Sequence, residues 1–159
     1  MAGYSPRSLV QKLGIKEGDK ILLVQAPDGY GKILGPLPEV SSSSSASPAE
    51  TKALAKKPLS KKVPFDFIQA FFRDEAELLA LFPVLKGILA SDGMLWISWP
   101  KGKSIKPPKS GSSGGIPKPF NETRAREIGL AGGLVDVKVC AVDETWSGLK
   151  FMFRLRDRE

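Results

Sequence analysis

Side chains that could bind a ligand or do chemistry follow four apolar runs in this sequence, where each run ends. Carboxylates, aromatic rings and basic groups share these short stretches, and no histidine occurs among the 159 residues. The usual general base and the commonest metal ligand are therefore missing, and any catalysis would fall to carboxylates, lysines, tyrosines or a cofactor. The candidate ligand-binding residues are Asp28, Tyr30, Arg73, Trp99, Lys101, Asp143, Glu144, Thr145 and Trp146.

A cleft lined by these groups would suit a cationic or hydrogen-bonding small molecule, or a basic peptide segment. Several candidates also have a purely structural interpretation, which the sequence leaves open. Asp143 suits a turn or cap, and Trp146 suits a lid on the core with its indole N–H paired. Core packing is favoured for Trp99, and solvated charges are favoured for Arg73 and Lys101.

Composition argues against metal binding and against covalent catalysis. Cys140 is the only cysteine, which excludes an internal disulfide and disfavours a cysteine-based zinc site. Asp143 and Glu144 would point to opposite faces of an extended chain, a poor geometry for a two-carboxylate hydrolase. We therefore expect no catalytic residue, no metal and no bound cofactor, and the sequence leans towards a protein that is not an enzyme.

The elements that must position the candidates are apolar runs separated by helices. Helices are predicted to begin near Ser5, Asp74 and Asn121, each a favourable N-cap. Strands alternating with helices indicate a parallel sheet, and a last strand joined by a short link indicates an antiparallel neighbour. The predicted strands are Lys20–Val24, Phe65–Phe72, Met94–Trp99, Leu134–Val142 and Leu149–Arg156.

These elements predict an α/β fold, a single Rossmann-like three-layer domain with a mostly parallel sheet of about five strands. The carboxyl ends of parallel strands meet at one edge, where ligands bind in open α/β sheets. The four loops that carry the candidates should therefore lie together at this edge.

Two low-complexity segments hold the positive charge of the chain. Residues 41–63 carry a net +4 and residues 101–120 a net +5, so the remainder of this +7 chain is slightly acidic. Both are predicted to be flexible insertions, the first standing largely in place of a second strand. Flexible lysines can also neutralise phosphates, but these segments lack the interleaved aromatic residues that would strengthen a nucleic-acid role.

The sequence also yields an expectation about location. The first residues contain no apolar export segment, and no apolar run is long enough to cross a bilayer. We therefore expect a cytoplasmic protein that does not bind a membrane. The expected partner is an unknown small molecule or protein.

Two stretches resemble class I S-adenosylmethionine-dependent methyltransferases. Leu13–Val24 (LGIKEGDKILLV) is similar to the approach to their first strand, and Leu85–Ser98 (LKGILASDGMLWIS) to a helix-to-strand passage. The resemblance implies a cofactor loop with an acid followed by G-x-G-x-G. Here two of those glycines are replaced by Gln25 and Pro27, and Gly29 is retained. Side chains at such positions would block the ligand.

A closer resemblance is to a bacterial family of small proteins of unknown function. Three blocks carry it, A-P-x-G-Y at Ala26–Tyr30, G-M-L-W-I-S-W-P at Gly93–Pro100 and V-K-V-C-A-V-D-E-T-W-S-G-L-K at Val137–Lys150. This family brings no established activity with it.

Three functional hypotheses follow from these observations. The first is a non-catalytic binding module built on a methyltransferase-like fold with a degenerate cofactor site. The second is an S-adenosylmethionine-dependent methyltransferase with an atypical pocket. The third is a nucleic-acid accessory protein that acts through its lysine-rich segments.

Overall fold

The described part of the chain forms six strands and five helices. The structure is a computed structural model that describes residues 9–35, 37–40, 42–56, 64–100, 121–142 and 145–154. The strands are β1 (Lys20–Val24), β2 (Ser42–Ala46), β3 (Phe65–Phe71), β4 (Leu89–Pro100), β5 (Leu134–Ala141) and β6 (Trp146–Phe153). The helices are α1 (Leu9–Leu13), α2 (Tyr30–Leu34), α3 (Pro48–Ala55), α4 (Glu75–Gly87) and α5 (Glu122–Ala131).

All six strands form one sheet in the order β2-β1-β3-β4-β6-β5. Strands β2, β1, β3 and β4 pair in parallel, whereas β6 lies antiparallel between β4 and β5. The predicted Rossmann-like class, with its mostly parallel sheet and antiparallel last strand, is confirmed. The strand order reverses between β1 and β3, so the switch point of the fold lies there.

Apolar side chains alternate along the strands and build one core on each face of the sheet. One core packs α4 and α5 against Leu22, Ile68, Ile97 and Phe151 among other residues. The second packs α1 and α2 against Leu23, Phe67 and Trp96. The Trp96 indole Nε1 donates to the Leu13 carbonyl at 2.8 Å, which fixes the end of α1 over β4.

The structure differs from the sequence expectation at residues 41–63, predicted to be a flexible insertion without secondary structure. Ser42–Ala46 forms β2 and pairs with β1 from Lys20↔Ser42 to Val24↔Ala46. α3 follows, with Ser47 accepting from the Glu50 N–H and Glu50 accepting from the Ser47 N–H, a reciprocal cap. An edge strand held by backbone hydrogen bonds needs few apolar side chains, and the serine run supplies none.

Other expectations fall on residues outside the described ranges. They concern the helix start at Ser5, the second insertion at 101–120, residues 57–63, and the end of the last strand beyond Arg154. Within the described ranges, no helix combines the length and the apolar character that a membrane span requires.

Candidate functional site

The loop after β1 turns sharply at the carboxyl edge of the sheet. Gly29 has φ 80° and precedes α2, and the Tyr30 N–H donates to the Pro27 carbonyl at 3.0 Å. Gly29 is the glycine that the methyltransferase-like loop retains, and its left-handed backbone explains why a glycine is needed there. The turn directs Tyr30 back under the sheet edge, where its ring is 2% exposed.

Gln25, the residue directly after β1, adopts a backbone conformation that glycine normally adopts. Its φ of 56° is the single positive value found for a non-glycine among the described residues. Its side-chain Nε2 donates to the Phe71 carbonyl at 3.0 Å, and its backbone N–H donates to the Ala46 carbonyl at 3.0 Å. Gln25 thus keeps the backbone shape of a glycine loop while its side chain bridges β1 and β3 at the switch point.

Three aromatic rings connect the loops at this edge. The Tyr30 and Phe71 rings meet edge-to-face at 4.9 Å, and the Phe71 and Trp146 rings at 5.1 Å. The exposed Arg73 guanidinium lies 5.4 Å from the Trp146 ring centroid, within cation–π range. The loops after β1 and β3 and the start of β6 therefore converge, as the topology predicts.

A buried polar chain supports this aromatic cluster. The Tyr30 hydroxyl donates to the Gln69 Oε1, and the Gln69 Nε2 donates to the Ser98 Oγ at 3.2 Å. Gln69 and Ser98 are fully buried, so each needs a partner inside the protein. These two hydrogen bonds hold the Tyr30 ring in place and connect β3 and β4 to α2.

An open groove of about 590 Å³ lies beside Tyr30, between the β1 loop, α2 and β2. This volume is within the usual range for small-molecule sites. Its floor is apolar, with Leu23, Leu34 and Leu37, and its rim carries the Ser43 and Ser45 side chains of β2. The groove lies at the carboxyl ends of two parallel strands, where ligands bind in folds of this kind.

The charge of the groove has one sign in the described part of the chain. Asp28 and Glu50 contribute carboxylates to its lining, whereas no lysine or arginine does. The Glu50 carboxylate already accepts the Ser47 N–H in the cap of α3, and Asp28 is exposed at the β1 loop. A ligand with hydroxyl groups and a neutral or positive charge fits this lining better than a phosphate would.

The structure places the sequence candidates in three locations. Asp28 and Tyr30 line the groove. Arg73 and Trp146 stack together beside it, and Thr145 is exposed just before Trp146. Trp99 lies on the opposite face of the sheet, in the core under α4 and α5, and is 5% exposed. Lys101, Asp143 and Glu144 lie outside the described residues.

Four polar groove residues did not appear among the candidates: Gln25, Ser43, Ser45 and Glu50. The pattern Ser47-x-x-Glu50 is a capping box and could have indicated α3, and with it a preceding strand. For Ser43 and Ser45 no comparable sequence signal exists, because a serine run has weak strand propensity.

Potential metal ligands are dispersed in the described ranges. These ranges contain no group of three or more cysteine, aspartate or glutamate side chains close enough to hold an ion. Cys140 is buried, its Sγ lies 3.3 Å from the Ala141 carbonyl oxygen, and burial raises the pKa of its thiol.

Comparison with known proteins gives a fold but no family. No family model matches the chain, and no curated protein matches it. Solved structures do match over nearly the whole chain. A TehB-like S-adenosylmethionine-dependent methyltransferase from Corynebacterium glutamicum is 14% identical, with a TM-score of 0.54, and the match covers 96% of this chain and 91% of that one.

Two further structures show the same similarity. An S-adenosylmethionine-dependent methyltransferase from Aquifex aeolicus is 19% identical, with a TM-score of 0.51 and coverage of 92% and 88%. The magnesium protoporphyrin IX methyltransferase of Synechocystis, with bound S-adenosylmethionine, is 13% identical, with a TM-score of 0.55 and coverage of 92% and 74%. At such low identities the similarity shows a methyltransferase-like Rossmann fold.

Proposed function

We propose that the protein is a non-catalytic binding module whose groove takes a neutral or cationic small molecule with hydroxyl groups. The observation that carries this proposal is the groove at the carboxyl ends of β1 and β2, which Asp28 and Glu50 line and to which no basic side chain of the described residues contributes. Hydroxyl-bearing ligands would donate to these carboxylates and to Ser43 and Ser45, while the apolar floor would bind a ring.

Two contacts support binding without catalysis. The Gln25 side chain spans from β1 to the Phe71 carbonyl, across the crevice where a methyl donor would approach the backbone. The Tyr30 hydroxyl, one of the groove's titratable groups, donates to Gln69 and is held away from a ligand. Neither group is arranged to activate a nucleophile.

A matched pair of substitutions tests the groove. Ser45→Trp would fill it, whereas Ser44→Trp adds the same ring to an adjacent exposed position outside the lining. The probes are adenosine, which is neutral, and AMP, which carries a phosphate on the same scaffold. We expect adenosine to raise the melting temperature of the wild type and of Ser44→Trp, but not of Ser45→Trp.

AMP should give a smaller shift because the groove carboxylates repel its phosphate. Equal shifts from AMP and adenosine, or a shift that survives Ser45→Trp, would contradict the proposed groove. Micromolar binding of S-adenosylmethionine by calorimetry, together with formation of S-adenosylhomocysteine, would instead favour the methyltransferase described next.

A second candidate function is an S-adenosylmethionine-dependent methyltransferase with an atypical pocket. Gln25 favours it, because a positive φ at this position preserves the path of a glycine loop. Glu50 also favours it, because the resemblance implies an acid after the second strand that holds ribose hydroxyls, and Glu50 lines the groove just after β2. This candidate requires both binding of S-adenosylmethionine and formation of S-adenosylhomocysteine. If S-adenosylmethionine binds without forming S-adenosylhomocysteine, the proposal of a non-catalytic binding module stands, with S-adenosylmethionine as its ligand.

A further inference from the structure

Four lysines from four separate segments lie near one another in the structure. Lys12 comes from α1, Lys16 from the loop after it, Lys138 from β5 and Lys150 from β6. The Lys138 Nζ lies 3.4 Å from the Lys12 carbonyl oxygen, and the Lys150 Nζ lies 5.9 Å from the Trp96 ring centroid. We call these four residues the lysine cluster.

A β-bulge in β5 creates the closest pair of the cluster. Before the bulge Asp136 pairs with Phe151, and after it Lys138 pairs with Lys150. Val137 is the extra residue and is 50% exposed. Without the bulge, Lys138 would oppose Leu149 on the other face. Bulges re-aim side chains, and this one turns Lys138 towards Lys150.

Repulsion between these lysines destabilises the folded protein when no anion is bound. Like charges directly opposite on neighbouring strands are destabilising. Burial lowers the pKa of Lys150 from its ordinary value, and the nearby charges of Lys138 and Lys16 lower it further. Within the described residues, no carboxylate forms an ion pair with any of the four lysines. An anion between them would relieve both the repulsion and the uncompensated charge.

We propose that the lysine cluster is a binding site for a phosphate-bearing anion. Lysine ammonium groups are compact point charges that bind phosphate without demanding one geometry. The Trp96 ring beneath them is fully buried, so it offers no surface for base stacking, and recognition rests on charge. The site is distinct from the proposed groove, because none of the four lysines is among the residues that line the groove.

Two charge-matched double variants test this site. Lys138→Gln with Lys150→Gln removes the cross-strand pair. Lys52→Gln with Lys56→Gln removes the same charge from exposed positions on and just after α3. The probes are a fluorescein-labelled 20-base-pair DNA duplex and sodium pyrophosphate, measured by anisotropy and calorimetry, with poly-L-glutamate as a phosphate-free polyanion.

If four lysines contact the duplex, its affinity should fall about 100-fold between 50 and 200 mM salt, and removing two should reduce this to about 10-fold. The Lys52/Lys56 variant should behave as the wild type. Pyrophosphate binding that is lost with the cluster identifies a small phosphate compound as the source, whereas duplex binding alone identifies nucleic acid. Either result supports the site.

Equal losses in both double variants, or no binding of either phosphate probe, would overturn the proposal. Equal affinity for poly-L-glutamate would also overturn the assignment to phosphate. Lys12→Gln with Lys16→Gln, which leaves the sheet unchanged, should reproduce the loss and guards against misfolding of the first variant. In a ¹³C-labelled lysine titration, pyrophosphate should raise the pKa of Lys150.

Discussion

At the scale of single residues, Gln25 shows how a sequence can depart from a motif and still keep its backbone. A non-glycine residue in the left-handed region costs about 1 kcal/mol, and the bond from the Gln25 Nε2 to the Phe71 carbonyl offsets this strain. The sequence shows the lost glycine but not the retained φ, because the compensating partner lies 46 residues away.

This balance predicts an unusual order of stabilities. Gln25→Ala loses the hydrogen bond and keeps the strain, so it should be about 1 kcal/mol less stable than the wild type. Gln25→Gly loses the bond but also the strain, and should remain within about 0.5 kcal/mol of the wild type. Urea unfolding measures both. Alanine as stable as glycine at this position would mean that φ is not strained.

Gly129 tests the packing of α5 against the sheet. A Cβ at this position would lie 2.0 Å from the Phe151 Cε1, so the helix or the ring must move. Gly129→Ala should therefore cost about 1–3 kcal/mol through overpacking. Gly87→Ala is the control, because no atom lies within 4 Å of its Cβ. Equal unfolding midpoints for the two variants would show that α5 packs less closely.

At the scale of elements, the apolar runs predicted most strands, and topology predicted that four loops lie at one edge of the sheet. Three of these regions meet around Phe71 and Trp146. Core packing, the interpretation that the sequence favoured for Trp99, agrees with its place in the core, since alternation puts it on the face of Leu95 and Ile97. β2 could not be predicted from propensity, because its serines make their contribution through backbone pairing with β1. The groove was missed for the same reason, since β2 forms one wall.

The cap at Ser47 should stabilise α3, the helix that follows β2. Ser47→Ala removes the side-chain acceptor for the Glu50 N–H and should weaken the helix by about 1 kcal/mol. Amide exchange at residues 51–55 should then accelerate about five-fold. Ser44→Ala, an exposed change on β2, should leave these rates unaltered. Unchanged exchange in Ser47→Ala would indicate that packing against α4 holds α3 without its cap.

At the scale of the whole molecule, the two proposed sites carry opposite charges. The groove is lined by the carboxylates of Asp28 and Glu50, whereas the lysine cluster combines α1 and the loop after it with β5 and β6. The total charge of +7 does not reveal this difference, and the Lys138–Lys150 pair depends on a bulge that sequence alternation does not reveal. The two proposed sites can therefore take ligands of opposite charge and be tested separately.

The protonation of Lys150 makes the stability of the protein depend on pH, and this dependence measures the repulsion within the lysine cluster. Its pKa is lowered in the folded state, chiefly by burial and then by the nearby charges of Lys138 and Lys16. The unfolded chain therefore binds more protons between the lowered pKa and the ordinary value of 10.5. Over that range this group makes stability rise with pH, and its penalty is fully present below it.

Lys150→Met keeps the apolar stem but removes this charge. It should be more stable than the wild type at pH 8, and the difference should shrink by pH 10 as wild-type Lys150 loses its proton. Urea unfolding at both pH values measures the difference, with Lys52→Met on α3 as the exposed control. A gain in stability that does not change with pH would arise from packing, and the repulsion inferred for the lysine cluster would then be wrong.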